Sequence, residues 1–249
     1  MAPHGACPVC CTTPHYSEQH ASNLAFEPNP HNRAEVIALT RPLALALLLG
    51  TLLLAGGAAM HPILSGDGSM ELGMIGGMPI WRTMHLFMLG GTGLIVVGIW
   101  VRYVGAPANS PTNGAVIASL TIITVGIALD SLNTTFMAGP AWRMAAAFTA
   151  GDASIAKQFE TMHYVGLISA RFGNYLIALG ALLLGAAEWM TPGRPRWLAV
   201  LAWIAAAGGL VGVICFDEAA PEMLGAVSLL CGWQVGAAIV ALKKPSAPN

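Results

Sequence analysis

Six apolar stretches of this sequence contain no Asp, Glu, Lys or Arg: residues 42–60, 83–101, 103–129, 172–187, 197–216 and 223–242. Five of them reach the roughly 18 residues that mark a helix able to cross a bilayer. The run 172–187 gets there by extending past Arg171 toward Thr161. Only 9% of the chain is charged, against about 25% in an ordinary soluble domain. Eleven basic and 12 acidic residues do not cover the surface of a 25.8 kDa globule. A water-soluble globule and a disordered chain are both excluded, and the main solvent of this chain is lipid.

The pattern predicts an all-α, polytopic integral membrane protein. Its single transmembrane domain, 41–242, is a bundle of six helices spanning about 41–60, 81–104, 113–137, 159–188, 196–216 and 222–242. Residues 1–40 read as a disordered polar tail with a Cys/His cluster, and 243–249 as a short basic tail. The first tail has no apolar run long enough for the core of a secretory signal. Residues 61–80 form a Gly- and Met-rich loop, in which Gly73, Gly76, Gly77 and Pro79 argue against a continuous helix. Residues 139–158 are too polar to span, and Trp142, Met144, Ala147 and Phe148 suggest a short helix lying in the interface.

Lys and Arg resist translocation, so their distribution predicts orientation. With the amino terminus in the cytoplasm, that side receives Arg33, Arg41, Arg102, Arg194, Arg196, Lys243 and Lys244, and the other side only Arg82, Arg143 and Lys157. Both termini are expected inside, in the inner (cytoplasmic) membrane of the cell, with an acidic outer face. Glu188, followed by Trp189, reads as a solvated residue at the inner boundary.

Three sets of residues have chemistry to offer. Spans two and four open with the same tripeptide, Thr83-Met84-His85 and Thr161-Met162-His163. In the expected topology both enter from the outer side, which puts the two histidines at similar depth. Two imidazoles on separate helices are what bis-histidine haem ligation needs, and Arg82 or Arg143 would pair with the propionates. The second set is soft: Met70, Met74 and Met78, with His61 nearby, offer the thioether and imidazole ligands that suit Cu(I). Cys7, Cys10 and Cys11 in the amino-terminal tail have the close spacing of a metal-binding turn. Met as an apolar filler and incidental thiols are the competing readings. The third set is Asp130 and Arg171, the two charges deepest in the spans, with Asn133 and Asn174 completing a polar pocket. An ion pair between Asp130 and Arg171 is expected, since intramembrane ionisable groups are costly and mark candidate sites.

No Ser-centred elbow, HExxH or nucleotide loop is present, and nothing in the charge pattern points to nucleic acid. The leading expectation is a redox or electron-transfer membrane protein with one haem b near the outer face. The alternatives are a transporter or copper-handling protein using the Met/His loop and the Asp/Arg pocket, and a non-catalytic accessory subunit of a membrane complex. Beyond the lipid bilayer, subunits of such a complex are the expected partners.

Overall fold

A computed structural model describes residues 30–64, 66–104, 111–216 and 221–243. Among them the fold is all-helical, with no strand. The helices are α1 (Pro30–Met60), α2 (Gly68–Gly76), α3 (Trp81–Gly98), α4 (Val101–Val104), α5 (Asn113–Phe136), α6 (Trp142–Thr149), α7 (Ile155–Met190), α8 (Arg196–Cys215) and α9 (Pro221–Leu242). Six of them are long and apolar enough to cross a membrane. Helix α1 starts at Pro30 rather than near residue 41, so the last part of the expected tail is helical. Proline suits a first helical turn, where its missing N–H has no partner to lose. The expected interface helix is α6, joined to α5 by a π-turn at Met137–Ala141 that contains Pro140.

The long helices pack in a closed ring, in the order α1, α3, α5, α7, α8, α9 and back to α1. Glycine sets the closest crossings. A Cβ on Gly50 would lie 2.6 Å from the carbonyl oxygen of Gly91, and one on Gly126 2.6 Å from that of Gly173, so backbone meets backbone between α1 and α3 and between α5 and α7. Small residues let membrane helices approach this closely where apolar side chains have no water to escape.

Two apolar cores lie along the bundle. The larger joins Leu47, Ile99, Leu120, Ile123, Leu184, Leu198 and Trp233. The smaller lies at the opposite end, where α2, α6 and the π-turn cap the ring, and gathers Leu72, Ile75, Trp81, Met84, Met137, Met144 and Phe159. Against expectation, the Met-rich segment forms a helix. Asp67 caps α2, its Oδ1 accepting the amide of Met70 at 3.0 Å, and the burial of Leu72 and Ile75 compensates for Gly73 within the helix. Trp81 ties the cap to α3 by donating its indole N–H to the Met137 carbonyl at 3.0 Å.

Candidate functional site

Between the two cores lies a cavity of about 290 Å³. It is lined by α1, α3, α5, α7 and α9, by residues 61–64 and by Glu71 of α2, with no residue from α8. Its walls change character with depth. At the capped end stand His61, His85, His163 and Glu71; next come Thr92, Asp130, Asn133, Arg171 and Asn174; the far end is mostly apolar, with Ile95, Ile127, Ile177 and Leu230 beside Gln234.

The three imidazoles are each held by one nitrogen. His61 Nδ1 lies 2.6 Å from the Pro62 carbonyl, His85 Nδ1 2.8 Å from the Trp81 carbonyl one turn earlier, and His163 Nδ1 2.9 Å from Glu71 Oε2. Carbonyl and carboxylate oxygens only accept, so in the neutral rings the proton sits on Nδ1 and Nε2 carries the lone pair. Burial holds His61 below the ordinary histidine range; the Pro62 carbonyl partly offsets this, and the nearby charge of His163 adds to it. An imidazole so placed stays neutral at physiological pH.

The rings fall into two groups. His61 and His85 meet edge to face, with centroids 5.0 Å apart, and both pack on Trp81. His163 instead packs against Phe159 and Phe136. The structure thus brings the first and second histidines into contact and sets the third on another wall of the same cavity. Met88 joins the first group: it lines the cavity one turn beyond His85, and its Sδ lies about 3.1 Å from where a Cβ on Gly57 would be, one turn before His61.

The expected polar pocket is assembled, but its expected ion pair is not. Asp130 Oδ1 accepts from Asn174 Nδ2 at 3.2 Å. Arg171 directs Nε and Nη2 to the Val213 carbonyl, at 2.9 and 2.6 Å. The last carbonyls of a helix lack intrahelical partners, and the guanidinium serves one of those of α8. Asn133 lines the same wall, with its Oδ1 buried and without a hydrogen-bond partner.

Other candidates lie elsewhere. Arg82 and Arg143 are exposed and do not line the cavity, and Arg82 stands over the ring of Trp142. Met70 points outward at 60% exposure, while Met74 and Met78 pack on the capping core. Cys7, Cys10 and Cys11 lie outside the described residues. Among the described residues no three His, Cys, Asp or Glu side chains converge as a ligand set, so any metal here needs sulfur from methionine or a ligand of its own.

Comparison with family models, curated proteins and solved structures finds no match. The site therefore speaks through its geometry alone.

Two pairings escape sequence reasoning. One is Glu71 with His163. The other is the buried ion pair of Arg102 with Glu188 at the far end of the bundle, the pair being 3% and 5% exposed. Glu188 is therefore not a solvated boundary residue. Arg194 extends this cluster by donating to the Arg102 carbonyl; burial and the neighbouring Arg102 lower it to about 10, against the pull of Glu188.

Proposed function

We propose that the chain is a multi-pass membrane protein that handles a soft metal ion, Cu(I), captured at the capped end of the cavity by His61 Nε2, His85 Nε2 and Met88 Sδ. The observation that carries this reading is the contact of His61 with His85, at a centroid distance of 5.0 Å, with each Nδ1 engaged by a carbonyl. A metal–imidazole bond of about 2.0 Å puts the ion roughly 3 Å from each ring centre, so two rings sharing one ion in a bent arrangement stand about 5 Å apart. Neutral imidazole with thioether is a ligand set that selects Cu(I), and carbonyl acceptors on Nδ1 fix the tautomer as outer-sphere partners of metal-bound histidines do.

The test is anaerobic titration of the purified protein with Cu(I) against a chromophoric chelator. One ion per chain is expected once Cys7, Cys10 and Cys11 are replaced by Ser, since thiolates also take Cu(I). His61→Ala and Met88→Leu should each weaken binding by at least about tenfold, the loss that even second-sphere changes produce. No retained copper, or affinity unchanged in both variants, would overturn the reading.

Haem b between His85 and His163 is the second reading, favoured by one observation: both line a single cavity with Nε2 left for a ligand. A reduced-minus-oxidised spectrum with a haem band that disappears in His163→Ala would support it over copper.

A further inference from the structure

The cavity contains a second chemical feature, the carboxyl group of Asp130, and the role assigned to it rests on the copper reading. Asp130 lies on α5 less than two turns before its end at Phe136 and faces the cavity. Its neighbour Ser131 places Oγ 3.4 Å from Thr92 Oγ1. Asp130 is therefore level with Thr92, seven residues or about 10 Å along α3 from His85. The titratable or charged groups around it on the cavity walls are His61, His85 and His163, Glu71, Arg171 and Cys231. Arg171 carries the fixed positive charge among them, and its guanidinium is turned to the Val213 carbonyl. Asp130 itself is bonded by a neutral amide, Asn174.

An ionised carboxylate within a membrane span, facing a cavity and without a cationic partner, is costly. Two occupants relieve that cost: a proton on the carboxyl group, or a cation in the cavity. We propose that Asp130 is a proton site that exchanges against the metal ion, giving up its proton to water as Cu(I) binds near His61, His85 and Met88. The carboxyl O–H bond breaks with both electrons left on oxygen, the proton leaves as hydronium, and copper stays Cu(I) throughout. One positive charge enters as another departs, so the net charge of the cavity is kept. Across about 10 Å, at an effective dielectric constant of about 20, the ion favours ionisation of Asp130 by on the order of tenfold. Linkage is reciprocal, so the affinity for Cu(I) rises by the same factor as pH passes through the titration of Asp130.

Two readouts on the detergent-purified chain test this together. In weakly buffered solution, Cu(I) binding should release part of a proton per ion, with a maximum at one pH and a fall on either side. Asp130→Asn, which keeps the partner for Asn174, should bind copper with the same stoichiometry, release no proton and lose the tenfold pH dependence. Infrared difference spectra should show a protonated-carboxyl C=O band that disappears on Cu(I) binding in the unmodified chain and is absent from Asp130→Asn. Cys231→Ser and Glu71→Gln should leave both signals in place. Proton release undiminished in Asp130→Asn, or abolished by Cys231→Ser or Glu71→Gln, overturns the assignment to Asp130 while leaving copper binding intact. A chain that binds no Cu(I) overturns both. Should Asp130→Asn fail to fold, the infrared band of the unmodified chain decides, and a spectrum without a lost carboxyl band counts against the proposal.

Discussion

Arg102 and Glu188 show what one side chain can decide in this bundle. Both are almost fully buried, and each guanidinium or carboxylate left alone there would be an unpaired charge shielded from water. Glu188→Ala should therefore destabilise the protein by about 3–5 kcal/mol, whereas replacing both partners by Arg102→Met with Glu188→Leu should recover most of the loss. Thermal unfolding in detergent checks this, and a double variant as unstable as the single one would disprove it. The same pair marks a limit of sequence reading. Asp130 and Arg171 stand out because each interrupts a long uncharged run. Glu188 sits at the end of a run beside Trp189 and looks like any boundary residue. Its partner is 86 positions away, and nothing local announces a contact at that distance. Arg171 misleads in a different way: charge alone matches it with Asp130, while the structure gives it to an orphan carbonyl at the end of α8.

At the scale of elements, glycine position separates packing from incident. Gly90, Gly91 and Gly93 look alike in the sequence, but a Cβ at Gly90 or Gly93 meets nothing within 4 Å, while one at Gly91 falls 2.7 Å from the Gly50 carbonyl oxygen. Gly91→Val and Gly173→Val should each cost about 1–3 kcal/mol by forcing their helix pairs apart. Gly90→Ala and Gly93→Ala should be neutral or slightly stabilising, since alanine favours helix. Melting temperatures of the four variants in one detergent make the comparison. Span limits are legible because lipid demands long apolar runs; helix α2 is not, because its glycines suggest a loop and its stability comes from capping and burial. Asp67→Ala should remove about 1 kcal/mol of local stability and speed amide exchange across Gly68–Gly76 more than in α3. Equal exchange in the two helices would mean that the capping core, not Asp67, holds α2 in place.

For the whole molecule, ring closure explains why one cavity gathers residues from five of the six long helices. The tight pairs are α1 with α3 and α5 with α7, so His61 and His85 come from one pair and Asp130, His163 and Asn174 from the other. The Thr-Met-His shared by α3 and α7 reflects this: each is the second member of its pair, and each brings its histidine to the same end of the bundle. What that end faces depends on orientation. The excess of Lys and Arg at the opposite end, where α1 begins and α9 ends, predicts that the cavity's histidine end faces away from the cytoplasm. A fluorescent protein fused after Asn249 should then mature in cells, and a phosphatase that works only outside the cytoplasm should stay inactive at the same position. Placed instead after Gly151, between α6 and α7, the phosphatase should be active. The opposite pattern would turn the cavity's histidine end inward. The copper site would then collect its ion from the cytoplasmic pool, and the proton leaving Asp130 would return to the cytoplasm.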